Sequence, residues 1–333
     1  MKVVVTGAAG FVGSHFTKKL LSEGHEVLAI DNYSDYYSIE LKKLRTADLI
    51  DSFGGAVQYL NLCDIEKVRK ELKNYSPDSI VHLAAQPGVR LNPSEYHRYT
   101  TNNLSAFSNL YQVILELEIS NFVYASSSSV YGNATNSILS ESMTDLHPVS
   151  YYGASKLCNE ILAGTASKIS GMSAVGLRFF TVYGPYGRPD MAYFRLLAQV
   201  LSGYKFELFG DGSVLRDFTF VEDTVHALYL LLVSQQKGNF EGSHIFNIGG
   251  GKPASMLDMI AEVEKLAGRE LVFEKLASFS GDVKSTHANT DKLNQAIGFI
   301  PKVSLAEGLK RTYDWSNQKE MRESLKNWAQ SVD

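Results

Sequence analysis

The chain has 333 residues, 44% of them hydrophobic and 20% charged, which is enough for one large domain or two moderate ones. A net charge of −4 argues against a nucleic-acid surface, and two cysteines form neither a metal-binding spacing nor a disulfide framework. A predicted strand begins at Lys2, which leaves no room for a signal peptide, and the apolar run 227–233 is too short to cross a bilayer. We expect a cytoplasmic protein with reduced thiols and no membrane segment.

Short apolar segments alternate with segments of helical periodicity through the first half of the chain. The predicted strands are residues 3–5, 27–30, 57–60, 80–83 and 122–125. Helical spacing between them includes residues 16–21 and 106–117. This alternation predicts an α/β fold, a doubly wound parallel sheet with right-handed crossovers.

The alternation weakens after about residue 180, where glycine and proline cluster at 184–189 and 210–212. Two further predicted strands, 218–221 and 244–248, could rejoin the sheet. We predict a first domain of residues 1–178 and 217–250, and a smaller, discontinuous C-terminal lobe of residues 179–216 and 251–333. The end of the chain, from residue 319, is predicted to be a polar surface helix.

A glycine-rich turn follows the first predicted strand and opens a helix. Gly7 makes the turn, Gly10 lets the backbone approach a pyrophosphate, and Gly13 lets helix and strand pack closely. Phe11 and Val12 lie between the last two glycines. The spacing is G-x-x-G-x-x-G rather than G-x-G-x-x-G, and its position still predicts the dinucleotide site of a Rossmann-type fold.

Asp31 ends the second predicted strand, 18 residues beyond Gly13, where an acid can bond the adenosine ribose hydroxyls. Its charge would repel the 2′-phosphate of NADP, and the nearest basic residues, Lys42 and Lys43, are distant in sequence. Asp31 could instead only end the strand or cap a helix. The spacing favours NAD as the cofactor.

Other candidate cofactor contacts follow the next predicted strands. Asp64 could accept the adenine amino group or simply cap the helix 65–72, and both interpretations stay open. Ala84 and Ala85 are small enough for their backbone to lie against the cofactor, and Asn103 is a weaker candidate. The neighbouring residues Asn32, Ile65 and Leu83 complete this predicted set.

Tyr152 and Lys156 are four residues apart, so a helix would place both side chains at one site. A nearby cation favours the phenolate and lowers a tyrosine pKa from its ordinary value of roughly 10. Tyr152 is therefore a candidate base. The spacing alone is weak, because helices often place these residues four apart.

Three motifs together resemble the extended short-chain dehydrogenase/reductase family: the glycine loop 6–13, Ser-Ser-Ser-Ser-Val-Tyr-Gly at 126–132, and Tyr152-x-x-x-Lys156. The resemblance covers nearly the whole chain. It narrows to nucleotide-sugar 4-epimerases, and within them to the UDP-glucuronate 4-epimerases. The segments that narrow it are 31–37 (DNYSDYY), 82–90 (HLAAQPGVR) and 178–192 (RFFTVYGPYGRPDMA).

The resemblance implies that Tyr152 is the base, that Lys156 holds a ribose and tunes the base, and that Ser127 is the hydroxyl partner. It also implies that the first domain holds NAD, that the smaller lobe holds a UDP-sugar, and that helices near 103–118 and 153–169 pair in a homodimer. Residues 126–129 could instead form only a turn at a strand end.

Serine at positions 128 and 129 favours one reaction type. Related dehydratases and decarboxylases carry acidic residues just before Val-Tyr-Gly, where this chain has serines. An epimerase needs no second acid or base, because Tyr152 can take one proton and return it. The sequence therefore favours reversible oxidation without elimination, and the resemblance implies reversible C4 epimerisation of UDP-glucuronate to UDP-galacturonate through a 4-keto sugar.

A 4-keto uronate is a β-keto acid, so an epimerase must hold its carboxylate out of alignment with the carbonyl π system. The candidate donors are Ser128, Ser129, Thr181 and Arg188. Arg188 could instead be a loop residue paired with Asp190 or Asp217.

The nucleotide end of the substrate has a separate set of candidates. Arg216 resembles the family's pyrophosphate arginine, and Arg90 could be a second positive group near it. Phe206 and Phe209 would form a uracil slot through backbone and ring contacts. Asp282 could accept from the uridine ribose, although this chain departs from the pattern there. Ordinary surface or turn roles stay open for Arg90 and Asp282.

Two other functions stay open at this point. The chain could be a UDP-glucose or UDP-N-acetylglucosamine 4-epimerase with the same core chemistry, although the Thr181 and Arg188 block argues against it. It could also be a non-catalytic NAD or nucleotide-sugar sensor. A sensor would be free to lose the three proposed catalytic side chains, and all are present.

Overall fold

The computed structural model describes residues 1–134, 138–277 and 285–332. Its strands are β1 (Lys2–Thr6), β2 (Glu26–Asp31), β3 (Val57–Tyr59), β4 (Ser79–His82), β5 (Asn121–Ser127), β6 (Ser173–Phe179), β7 (Thr181–Tyr183), β8 (Glu207–Phe209), β9 (Leu215–Phe220), β10 (Ser243–Ile248), β11 (Pro253–Ser255) and β12 (Glu274–Leu276).

The helices are α1 (Phe11–Ser22), α2 (Ile39–Leu49), α3 (Ile65–Tyr75), α4 (His97–Tyr99), α5 (Ala106–Glu116), α6 (Tyr151–Ser170), α7 (Ala192–Ser202), α8 (Val221–Gln236), α9 (Met256–Ala267), α10 (Asp291–Ile297), α11 (Leu305–Ser316) and α12 (Lys319–Gln330). A π-helical turn, Thr100–Ser105, and short 3₁₀ turns, Asp51–Phe53, Pro93–Glu95 and Ser128–Tyr131, complete the elements.

Seven parallel strands form the main sheet in the order β10-β6-β5-β4-β1-β2-β3, which confirms the predicted Rossmann-type α/β fold. The strand order reverses between β1 and β4. In such sheets ligands bind outside the carboxyl ends of the strands, at this reversal. The apolar side chains of the strands pack into core clusters on both faces of the sheet.

Two differences from expectation concern the main sheet. β6 was not predicted, because Gly176 and Arg178 interrupt its apolar run, yet it lies between β5 and β10. Residues 218–221 were predicted as a strand that could rejoin the main sheet. Instead β9 pairs with β7 and β11 in a separate three-stranded sheet, while β10 takes the edge position beside β6.

A second core cluster lies among α7, α9, α11 and α12. The helix predicted from residue 319 is present as α12, but it is not polar on every face. Met321, Leu325 and Trp328 recur at helical spacing on α12 and are buried in this cluster. The division of the chain at residues 178, 216 and 250 stays a prediction.

Both cysteines are free thiols: Cys63 is partly buried and Cys158 is exposed. Within residues 1–134, 138–277 and 285–332, no helix combines the length and the apolar character that a membrane crossing requires.

Candidate active site

The glycine loop packs as tightly as its sequence predicts. Gly7 has a φ of 73°, and a Cβ added there would lie 2.6 Å from the amide nitrogen of Ala84. A Cβ at Gly13 would lie 2.0 Å from the carbonyl oxygen of Gly7. Only glycine lets β1, α1 and the segment after β4 approach this closely.

The first turn of α1 is suited to an anion. Gly10 is the N-cap and offers no side chain, and the first turn carries no acidic residue. The amides of Phe11, Val12 and Gly13 have no acceptor within the helix, and the helix dipole favours negative charge here. A dinucleotide pyrophosphate fits this helix end.

Asp31 reaches the same loop from the end of β2. Its carboxylate accepts from the Ala9 amide at 3.0 Å and from the Tyr33 amide at 2.7 Å. A carboxylate has about four acceptor positions, so acceptors remain for ribose hydroxyls. Lys42 is closer than its sequence position suggests: its ammonium donates to the Ser34 carbonyl at 2.5 Å, and Asp31 opposes the burial that lowers the pKa of Lys42 to about 8.

Asp64 is the N-cap of α3, which was one of the two interpretations left open for it. Its side chain accepts from the Lys67 amide at the start of α3 at 3.3 Å and pairs with the Lys67 ammonium at 2.8 Å. Ile65 opens that helix. Asn32 accepts from the Ser34 amide at 3.2 Å.

Asn103 supports the backbone after β4 through bonds to other protein groups. Its carbonyl oxygen accepts from the Gln86 amide at 2.7 Å, and its amide nitrogen donates to the Gln86 carbonyl at 3.2 Å and to the Ser155 hydroxyl at 3.0 Å. Both amide hydrogens are therefore used within the protein. Asn103 orders the segment that follows Leu83, Ala84 and Ala85.

Tyr152 and Ser127 meet where β5 and α6 begin to diverge. Ser127 is the last residue of β5, and Tyr152 lies in the first turn of α6. The Ser127 side chain lies close enough to the Tyr152 phenol to oppose the rise in its pKa. Ser127 also donates to the Ser129 hydroxyl at 3.1 Å, and Ser128 opens the following 3₁₀ turn. The predicted hydroxyl and the predicted base thus lie near each other.

Lys156 is placed differently from the expectation. Its ammonium donates to the Ala125 carbonyl at 3.0 Å and lies 5.9 Å from the centre of the Tyr152 ring. Burial lowers the pKa of Lys156 to about 8. Burial also raises the pKa of Tyr152, and the charge that opposes this rise is that of Arg188, followed by the nearby Ser127 side chain. The expectation that Lys156 lowers the Tyr152 pKa is not what this structure shows.

Arg188 is paired within its own loop, as its alternative interpretation allowed. Its Nε and Nη2 atoms bond the Asp190 carboxylate at 3.0 and 2.5 Å, and the Tyr36 hydroxyl donates to Asp190 at 3.2 Å. Asp217 instead accepts backbone amides of residues 250, 251 and 288. Arg188 still lies close enough for its charge to act on Tyr152, whereas Thr181 is half-buried at the start of β7.

The nucleotide candidates divide into two groups. The Arg90 guanidinium lies 4.6 Å from the centre of the Phe209 ring, so two residues far apart in sequence meet at an exposed position. Phe206 is 3% exposed within the second core cluster, so its ring cannot face a base and only its backbone is available. Arg216 lies on β9 and donates to the Leu215 carbonyl at 3.0 Å. Asp282 lies outside the described residues.

A buried network behind the catalytic strand end was not predicted. Arg178 of β6 forms a bidentate pair with Glu160 of α6 at 2.9 and 2.7 Å, and the Ser126 hydroxyl donates to the same carboxylate. The network ties the helix that carries Tyr152 to the strands beside it. The sequence did offer two signals for this buried pair: an arginine within an apolar strand, and an acid four residues after Lys156.

Arg45 of α2 was also missed, although it connects the cofactor and substrate segments. It is fully buried and donates to the carbonyls of Tyr186 at 2.7 Å, Gly187 at 2.8 Å and Ala9 at 3.3 Å. His15 holds the same segment by its 3.0 Å contact with the Pro185 carbonyl. Together they anchor the loop that carries Arg188 to the glycine loop.

Comparison with known proteins agrees with this geometry. Residues 3–249 match the NAD dependent epimerase/dehydratase family. UDP-glucuronate 4-epimerase 4 of Arabidopsis thaliana is 37% identical over 94% of this chain and 74% of its own length.

Two solved structures are similar over nearly the whole chain. UDP-glucuronic acid 4-epimerase from Bacillus cereus, in complex with UDP-glucuronic acid and NAD, is 36% identical with a TM-score of 0.86, covering 95% of this chain and 98% of that one. MoeE5, in complex with UDP-glucose and NAD, is 35% identical with a TM-score of 0.82 over 95% and 98%. The chain described here belongs to the NAD dependent epimerase/dehydratase family.

Proposed function

We propose that this protein interconverts UDP-glucuronate and UDP-galacturonate by epimerisation at C4 of the sugar. The observation that carries the proposal is the placement of the Tyr152 phenol, at the start of α6, beside the Ser127 side chain at the end of β5 and within reach of the charge of Arg188. A base, a hydroxyl donor and a cation thus meet beside the glycine loop. The Arabidopsis thaliana and Bacillus cereus relatives carry the same activity in their names.

Tyr152 supplies the proton chemistry. Its phenolate takes the proton of the sugar 4-hydroxyl, and Ser127 donates to the oxygen that becomes the carbonyl. The first turn of α1 would hold NAD, which when bound would supply the hydride acceptor and hydride donor for C4 of the sugar. Tyr152 then returns its proton to the sugar oxygen, so the protein ends the cycle as it began.

The cofactor site is proposed to hold NAD through the first turn of α1 and the Asp31 carboxylate. The ammonium of Lys42 is bonded to Ser34, and Asp31 adds a negative charge where NADP carries its 2′-phosphate. Leu83, Ala84 and Ala85 offer backbone along the same edge of the sheet. Lys156 is proposed to bond the cofactor ribose once its contact with the Ala125 carbonyl is exchanged.

The charged groups around Tyr152 support epimerisation over elimination. Among the described residues, the charged side chains that act on Tyr152 are Arg188 and Asp190, and these form an ion pair with each other. Ser128 and Ser129 occupy the positions where an additional acid would lie. One tyrosine therefore moves one proton out and back.

The substrate carboxylate is proposed to bind Arg188, with Ser128, Ser129 and Thr181 as hydroxyl donors. Holding it in one orientation keeps its bond to C5 out of alignment with the C4 carbonyl, which prevents loss of carbon dioxide. At the nucleotide end, Arg90 and Arg216 are proposed to hold the pyrophosphate, and the Phe209 ring to contact uracil. A role for Asp282 at the uridine ribose remains part of this proposal.

The decisive experiment offers the purified protein UDP-glucuronate, UDP-glucose and UDP-N-acetylglucosamine separately and identifies the products by NMR. We expect UDP-galacturonate from the first and little product from the other two. The MoeE5 complex with UDP-glucose makes glucose the main competing substrate to test. Product from UDP-glucose alone, or a decarboxylated pentose, would overturn the specificity, and no turnover together with no bound NAD would favour a sensor.

Tyr152→Phe is the matched control for the chemistry. The change removes one oxygen and keeps the ring, so turnover should fall by several orders of magnitude while UDP affinity changes little. Unchanged turnover would show that Tyr152 is not the base.

We also propose that the protein is a cytoplasmic homodimer. Leu115 of α5 and Ile161, Leu162 and Ile169 of α6 are large apolar side chains that the single chain leaves exposed. Light scattering on the purified protein, and on a variant with Ile161→Glu, tests the pairing. A monomer of unchanged mass in both would contradict it.

A further inference from the structure

Asp190 is held from two directions beside the proposed base. Nε and Nη2 of Arg188 bond its two carboxylate oxygens at 3.0 and 2.5 Å. The Tyr36 hydroxyl, from the segment between β2 and α2, donates to Oδ2 of Asp190 at 3.2 Å. The Asp190 side chain is 15% exposed, so these contacts hold the carboxylate in one position.

This contact leaves one edge of the Arg188 guanidinium available. A guanidinium can grip a carboxylate by its Nε and Nη2 edge or by its two Nη atoms. Asp190 fills the first edge. Among the described residues Nη1 has no hydrogen-bond partner, so the outer edge formed by the two Nη atoms can still donate to a second carboxylate.

The pair also determines how much charge Tyr152 experiences. The groups that face the phenol are Arg188, Asp190 and Ser127, with the Lys156 ammonium 5.9 Å and the Tyr99 ring 6.2 Å from the centre of the Tyr152 ring. Arg188 favours the phenolate and Asp190 disfavours it. The two opposite charges therefore cancel in part at the base.

We propose that Asp190 is a positioning residue for the reaction: it orients Arg188 with its outer edge toward the substrate and offsets its charge beside Tyr152. The substrate carboxylate then meets a guanidinium that is already fixed, rather than a mobile side chain. The inference rests on the proposed function for the identity of the base and of the carboxylate ligand.

The test is the ionisation of Tyr152 in Asp190→Asn, measured on the protein as purified with its cofactor. Asparagine keeps the size and an acceptor oxygen but removes the negative charge. Without that charge Arg188 acts unopposed, so the pH at which Tyr152 is half ionised should fall by about one unit. Arg188→Gln should move the same midpoint upward.

Tyrosinate absorbance near 295 nm reports the midpoint directly. Each variant is compared with the same variant carrying Tyr152→Phe, so the difference isolates one of the 18 tyrosines of the chain. If the protein turns over substrate, the acidic limb of the plot of kcat/KM against pH should shift in the same direction as the Tyr152 midpoint. Asp190→Asn should also raise KM for UDP-glucuronate more than for UDP-glucose.

Asp48→Asn is the matched control. Asp48 accepts from the Tyr186 hydroxyl at 2.8 Å, so this change also loosens the loop of Arg188, yet Asp48 does not act on Tyr152. Its midpoint should stay at the wild-type value. An unmoved or higher midpoint in Asp190→Asn, or the same shift in Asp48→Asn, would overturn the proposal. The absorbance titration needs no substrate, so it remains decisive even if no UDP-sugar is turned over.

Discussion

Glu160→Gln is the sharpest test of the network behind the active site. The change keeps the length of the side chain and an acceptor for the Ser126 hydroxyl, but it removes the charge opposite Arg178. The side chains of Arg178 and Glu160 are only 4% and 7% exposed, so the arginine would be left as an unpaired buried cation. One further atom of it, Nη1, already has no hydrogen-bond partner among the described residues.

The expected cost is large for one substitution. Removing one partner of a buried ion pair typically costs about 3–5 kcal/mol, because the remaining charge stays buried. With an unfolding entropy of roughly 2 cal/mol/K per residue, a chain of 333 residues should melt about 6 °C lower. Differential scanning calorimetry on the purified protein measures this shift.

Two controls separate the buried charge from the loss of a hydrogen bond. Adding Arg178→Met to Glu160→Gln removes the unpaired cation and should recover at least half of the lost stability. Glu116→Gln breaks a pair of the same bidentate geometry with Arg69 on the surface, and it should leave the melting temperature nearly unchanged. A Glu160→Gln protein that melts within about 1 °C of wild type would refute the reasoning.

Three other changes give separate tests. Gly13→Ala places a Cβ 2.0 Å from the Gly7 carbonyl, so the variant should lose about 1–3 kcal/mol of stability and most of its bound NAD, assayed by chromatography of released nucleotide. Asp31→Asn should weaken NAD binding about ten- to a hundredfold, measured by calorimetry, and should reduce the preference of the protein for NAD over NADP. An unchanged Kd for NAD would show that Asp31 does not contact the cofactor. Burial lowers the pKa of His15 to about 4. As the pH is lowered below 6.5, His15 therefore takes up a proton in the unfolded chain but not in the folded chain. The free energy of unfolding should fall by up to about 3 kcal/mol as the pH drops from 6.5 to 4. In urea titrations His15→Gln should show a smaller fall than wild type, and an equal fall would contradict this origin.

Prediction from the sequence succeeded where the signal is local. The alternation of strands and helices defined the sheet, and the glycine loop with Asp31 marked the end of the sheet where the cofactor segments meet. β6 was missed because Gly176 and Arg178 interrupt its run of apolar residues. The arginine is explained only by the tertiary structure, in which Glu160 pairs with it.

Asn103 and Phe206 show the limit from the other side. Both were chosen by their position in the sequence. The Asn103 side-chain amide, however, donates to Gln86 and Ser155, and the Phe206 ring is buried in a core cluster. Whether a side chain faces a ligand or the protein depends on what packs beside it. That information is not present in the spacing.

The sequence by itself therefore determined the fold class and the cofactor loop. These follow from periodicity and from turns that only glycine can make, which are properties of neighbouring residues. Only the tertiary structure decided which charges act on the base. The loop that carries both Arg188 and Asp190 is far in sequence from Tyr36 and from Tyr152, and packing alone brings these segments together.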